Sequence, residues 1–158
     1  MFTLTAEELR NMAIALEETG AKFYRNAAGL LSPGPLADLF NRLADWEDRH
    51  RDFFYELGFD TEAGEFVITD PDEETAAYLR VLAGSRVFSA EPKCLSGDAP
   101  TRRDILQDAL DREKESVVFY SSLRQVVTSY RGKEMLERIT REELHHLQVL
   151  ARELEASS

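Results

Sequence analysis

The sequence predicts an all-α protein, a four-helix bundle of two antiparallel helix hairpins with a long crossover that carries an extra short helix. Three observations lead there. Apolar residues recur at helical spacing through long segments near both ends of the chain. Helix-start and turn signals divide each of those segments in two. The two halves also agree with one another, residue on residue, at a single offset of 96 positions. At 158 residues the chain is long enough for one domain with a sizeable core of its own.

The first helix is read from "LTAEELRNMAIALEETGAKFYRNAAGLL", with Leu9, Met12 or Ala13, Leu16, Phe23 and Ala27 on the repeating face. Thr5 followed by Glu8 forms a capping box at its start. "SPGP" at 32–35 ends it, and Pro35 suits the first turn of a second helix that runs to Gly58. Hairpin 1 thus covers about residues 4–58. Hairpin 2, about 100–156, starts at Thr101 and Asp104, runs through "ILQDALDREKESVVFYSSLRQVVTSY", turns at Gly132 and ends with "KEMLERITREELHHLQVLARELEA". The connector, about 59–99, contains a strand-like "EFVI" and a short helix begun by Asp70 and Pro71 and running through "DEETAAYLRVLAGSRVF". A loop of that length with no structure of its own would be unusual, but it can carry the chain back along a bundle. That topology is of the ferritin-like type.

Composition excludes several function classes. Thirty acidic against nineteen basic residues give a net charge of -11, which repels a phosphate backbone and leaves no basic stripe. Nucleic acid and anionic membrane are therefore not expected partners. The N-terminal "MFTLTAEELRNMAIALEE" lacks the basic start and apolar run of a signal peptide, and no stretch is apolar enough to span a membrane. A single cysteine, Cys94, excludes an intrachain disulfide and a thiolate metal cluster. A cytoplasmic location is the corresponding expectation, and Cys94 reads as a plain loop thiol.

The offset carries the functional argument. It places Thr5 on Thr101, Ala13 on Ala109, Glu17 on Glu113, Phe23 on Phe119, Tyr24 on Tyr120, Arg42 on Arg138, Glu47 on Glu143 and His50 on His146. The last helix offers two overlapping Glu-x-x-His frames in "REELHHLQ", and only Glu143 with His146 has a counterpart, Glu47 with His50. Glu142 and His145 fall on Trp46 and Arg49 and are assigned to the flank. One carboxylate remains per first helix, Glu17 and Glu113, and counting residues from the turns sets all six groups near mid-bundle.

Glu and His three apart on a helix share a face, so each pair can offer an oxygen and a nitrogen to one ion. With Glu17 and Glu113 the set is four carboxylates and two imidazoles, the arrangement that binds a carboxylate-bridged metal pair inside a bundle. Two divalent ions would neutralise four buried carboxylates that otherwise cost several kcal/mol each. Oxygen-rich ligation without thiolate suits iron(II) or manganese(II), and zinc fits the same set. Tyr24 and Tyr120 lie seven positions after Glu17 and Glu113. They read either as hydrogen-bond partners of the ligand carboxylates or as core aromatics.

The segments "LEETGAKFY", "WEDRHRDFF", "REKESVVFY" and "EELHHLQVL" resemble the four motif segments of the rubrerythrin-like branch of the ferritin-like superfamily. The resemblance covers both hairpins. It implies a non-haem di-iron centre of two iron ions held by Glu17, Glu47, His50, Glu113, Glu143 and His146, with Glu47 and Glu143 bridging. It further implies an oxidoreductase that reduces hydrogen peroxide or dioxygen. The chain departs from full-length members in having no paired Cys-x-x-Cys motifs, so electrons would come from a separate rubredoxin-like donor or reductase. It departs again at Ser116, where rubrerythrins carry an additional glutamate and where the first half has Gly20. That puts their redox-linked ligand exchange in doubt. The alternatives are a ferroxidase or iron-binding and storage protein, and a bundle that holds no metal. A homodimer is the expected assembly.

Overall fold

The computed structural model describes residues 5–56, 71–83, 89–92 and 100–157. Within them lie five helices: α1 (Ala6–Leu30), α2 (Pro35–Glu56), α3 (Glu73–Ala83), α4 (Arg102–Val126) and α5 (Tyr130–Ala156). The architecture is the all-helical bundle that the sequence predicts. Both first helices open with a full capping box. Thr5 Oγ1 accepts from the Glu8 amide at 3.2 Å while Glu8 accepts from the Thr5 amide at 2.7 Å. Thr101 and Asp104 repeat the exchange at 3.1 and 2.9 Å. Pro35 is the first residue of α2, and Gly34 before it holds φ +154°, a value that favours glycine.

Two boundaries differ from the sequence reading. The second hairpin turns at Val127–Ser129, not at Gly132, which lies in the first turn of α5 and donates its amide to the Ser129 side chain at 3.3 Å. Serine at this position satisfies an orphan helix amide, so the glycine is not needed as a turn. The short helix starts after Asp72, whose carboxylate accepts from the Thr75 amide at 2.7 Å, and Pro71 stays outside it. Asp70, "EFVI", residues 84–88, Gly58 and Cys94 lie outside the described residues.

Antiparallel packing within each hairpin shows in its end contacts. The Arg10 guanidinium on α1 caps α2 by donating to the Phe54 and Tyr55 carbonyls at 2.9 and 3.0 Å, which satisfies acceptors at a helix C-terminus. Arg102 at the start of α4 pairs with Glu153 near the end of α5 at 3.1 Å. The buried apolar side chains form two clusters. One takes Leu9, Ala13 and Leu16 with Phe54, Phe119, Leu123 and Leu136, and α3 docks Leu79 and Leu82 onto it. The other takes Phe23, Ala27 and Phe40 with Ile105, Leu106 and Leu150. Between the two clusters in chain position, on every long helix, lies a stretch of buried polar side chains. No helix among the described residues is long and apolar enough to cross a membrane.

The end of the connector is fastened across the α1–α4 seam. Arg112, buried on α4, donates to the Ser89 carbonyl at 2.8 Å and to Thr19 Oγ1 at 3.1 Å, and lies 5.1 Å from the centre of the Phe23 ring. A buried guanidinium needs several acceptors, and here the connector supplies one of them.

Candidate metal centre

The polar layer is made of Glu17, Glu47, His50, Glu113, Glu143 and His146, each 5 % exposed or less. Helical geometry explains their meeting. Each residue sits near the middle of its helix, and each Glu-x-x-His pair spans less than one turn, so both members face inward together. The ligand-capable atoms fall into two groups. Glu17, Glu47, His50 and Glu143 form one, and Glu47, Glu113, Glu143 and His146 the other; within each the atoms lie inside 4.8 Å of one another. Glu47 and Glu143 belong to both.

Two tyrosines fix the outer carboxylates crosswise. Tyr24 on α1 donates to Glu113 Oε1 on α4, and Tyr120 on α4 donates to Glu17 Oε1 on α1. The offset of 96 turns one contact into the other. With Oε1 held, Oε2 of Glu17 and of Glu113 remains buried and makes no aligned hydrogen bond, nor do the two oxygens of Glu143, Nδ1 of His50 and both ring nitrogens of His146, groups that meet one another only as ion pairs. Orphaned buried polar atoms are rare in folded proteins, and this concentration of them is what a cation would satisfy. Hard carboxylate oxygens with borderline imidazole nitrogens suit a divalent transition metal.

Electrostatics without a cation show the same strain. Burial raises Glu47 well above the ordinary carboxylate range, with repulsion from Glu17 adding to it. Burial pushes Glu113 up to about 7, helped by the Glu143 charge. For Glu143 the large upward push of burial is overcome by the facing His146 and His50 imidazoles, which hold it below the usual range. His146 goes to about 10 because Glu113 and Glu143 outweigh its desolvation. The cluster thus favours added positive charge, whether from protons or from a cation.

Glu142 corrects the sequence reading. It does lie on the flank, with a side chain 40 % exposed, but it accepts from His50 Nε2 at 2.7 Å. Arg138 braces it at 3.0 Å, and these contacts lower Glu142 to about 2, His50 contributing most. His50 is thereby oriented with Nδ1 inward, 2.9 Å from Glu143 Oε1 and 3.6 Å from Glu17 Oε2. At the matching place in the other half Trp46 packs against His146, ring centres 4.7 Å apart. His145 is exposed and lies against Trp46 at 6.1 Å, outside the cluster. Gly20 is the second residue whose part was missed. A Cβ there would come within 2.8 Å of Glu47 Oε2, so the missing side chain is the space that carboxylate occupies. Ser116, its counterpart, is buried and brings no extra carboxylate.

An all-helical bundle with a buried, doubly shared carboxylate–histidine cluster defines a class, the ferritin-like proteins with a site suited to two metal ions. The sequence profile of the Rubrerythrin family matches residues 8–154, and the chain belongs to that family. In structure it is similar to a Thermotoga maritima protein described as ferritin-like and diiron-carboxylate, at 21 % identity and a TM-score of 0.69, over 100 % of this chain and 99 % of that one. No curated relative matches the chain.

Proposed function

We propose that this chain holds two iron ions and uses them to reduce hydrogen peroxide or dioxygen, with electrons arriving from a separate donor protein. The observation that carries the reading is the sharing of Glu47 and Glu143 between two donor sets, each completed by its own histidine and outer glutamate. When bound, the metal pair supplies the two electrons that, with two protons, convert one peroxide to two waters. In this reading Glu47 and Glu143 would be shared by the two ions, and His50 with Glu17 and His146 with Glu113 would hold one ion each. Tyr24 and Tyr120 keep Oε1 of the outer glutamates engaged so that Oε2 alone points to a cation. Two divalent ions balance four carboxylates, which offsets the burial, and the added repulsion, that raise Glu47 and Glu113. Manganese or zinc fits the same donors, and the redox function is what selects iron. The crossed Tyr–Glu contacts support descent of the two hairpins from one duplicated ancestor.

The test is metal analysis of protein purified without chelator, joined to optical spectra recorded during anaerobic peroxide addition. Two metal equivalents per chain, lost in Glu17→Ala and His146→Ala, and oxidation of the ferrous protein by peroxide are expected. Fewer than one equivalent in the parent, unchanged in the variants, would overturn the metal centre. Two irons that stay ferrous under peroxide would leave an iron-binding protein in place of a peroxidase.

A further inference from the structure

Beside the cluster lies a groove between α2 and α5, a cavity of about 850 Å³. That is within the roughly 300–1,000 Å³ typical of small-molecule sites. Its walls are partly apolar: Trp46 and Phe53 come from α2, Met135 and Ile139 from α5. Its charge runs against the rest of the molecule. In a chain of net charge -11, the groove is lined by Arg49, Arg138 and Arg141 against the single carboxylate of Glu142. Arg138 is already paired with Glu142, and among the described residues Arg141 reaches only its own helix, at the Glu137 carbonyl 3.4 Å away. Arg49 makes no hydrogen bond or ion pair among the described residues. Two guanidinium groups thus stand over an apolar wall with their capacity for a carboxylate unused. His50 and Glu142 form part of the lining, so whatever occupies the groove lies against the pair that orients His50.

We propose that this groove binds a small organic anion, a carboxylate on a nonpolar body, with the head group on Arg49 and Arg141 and the body on Trp46, Phe53, Met135 and Ile139. Apolar walls alone would take any hydrophobe, and cations alone would take inorganic phosphate. The combination selects a molecule with both parts, and the concave shape favours a small ligand over a protein surface. The site stands whether or not the cluster holds metal.

Trp46 is the only tryptophan in the chain and lines the groove, so its fluorescence reports on occupancy. The experiment titrates octanoate into the full-length protein, metal-free and metal-loaded, with octylammonium and inorganic phosphate as comparisons, and follows the dimer content by light scattering. Saturable quenching or enhancement by octanoate is expected in both forms, with octylammonium and phosphate weaker by roughly tenfold or more. An Arg49→Gln, Arg141→Gln double variant, altered only at exposed positions, should keep its unfolding temperature and lose octanoate affinity by a similar factor. Three results overturn the proposal: no saturable response, equal affinity for octylammonium, or a double variant that binds octanoate as the parent does. A parent that ignores octanoate and self-associates, with Met135→Arg at a partly buried wall position dissociating it while the chain stays folded, overturns the proposal and reassigns the groove to a contact between two copies of the chain.

Discussion

Gly20 is the residue whose chemistry is simplest to test, because two effects of one methyl group point in opposite directions. In a helix interior, replacing glycine by alanine adds about 1 kcal/mol of stability. At this position the new Cβ meets Glu47 Oε2 at 2.8 Å and Cδ at 3.1 Å, so the carboxylate end must move while the backbone need not. Gly20→Ala is therefore expected to leave the metal-free protein as stable as the parent or more so, and to weaken metal retention by roughly tenfold or more, a cost of about 1.4 kcal/mol or above. Thermal unfolding in chelator and a metal titration of the same sample check the two halves of the prediction. Glu142 calls for a different measurement. Its hydrogen bond orients His50, and loss of such an outer partner costs about 10–100-fold in metal affinity. In Glu142→Ala the ion on the His50 side should weaken by that factor, while the ion on the His146 side, which has Trp46 in place of a carboxylate, should change little. A titration resolving two steps would show the first variant-sensitive and the second not; equal weakening of both would contradict it.

At the scale of the elements, what was legible in the sequence was whatever is encoded locally or twice. The capping boxes at Thr5 and Thr101 are local four-residue signals, and both form as read. Replacing Thr101 by alanine should cost about 1 kcal/mol, seen as a lower unfolding midpoint with unchanged metal content, since the cap lies at the end of α4 and the cluster at its middle. Pro35 is equally local. Gly132 was misread because glycine marks a turn only when nothing else closes it, and Ser129 closes this one three residues earlier. The offset of 96 positions brought out the six buried carboxylates and imidazoles of the cluster because it keeps what both halves share. The same filter hid Glu142. Its counterpart is Trp46, so a comparison that rewards agreement discards it, although its role lies in making the two halves different. Gly20 was hidden for a further reason: the need for an empty space at that helix position exists only after α2 is packed beside α1.

For the whole molecule, the cluster links folding to pH and to metal, and the sign of that link is fixed by the raised groups. Glu113 rises from the ordinary 4.5 to about 7 and Glu47 is also raised, so the folded metal-free protein holds protons that the unfolded chain releases. Stability from Glu113 is present in full below about pH 4.5 and is lost as pH climbs through about 7, and Glu47 acts in the same sense. His146, raised from 6.5 to about 10, acts in the same sense above pH 6.5, because the unfolded chain gives up its proton first. The lowered carboxylates, Glu142 at about 2 and Glu143 below the usual range, act oppositely, but most of their contribution is in place by about pH 5. The unfolding temperature of the chelator-treated protein is therefore expected to fall from pH 5 to pH 8. Divalent ions take the place of those protons, so binding releases protons and tightens as pH rises. With manganese(II) or anaerobic iron(II) in excess the fall should vanish, and the gap between loaded and metal-free protein should widen steadily over the same interval. Differential scanning fluorimetry at pH 5, 6, 7 and 8 with and without metal measures this directly. A metal-free protein that gains stability from pH 5 to 7 would contradict the raised Glu47 and Glu113, and with them the preference of the cluster for added positive charge.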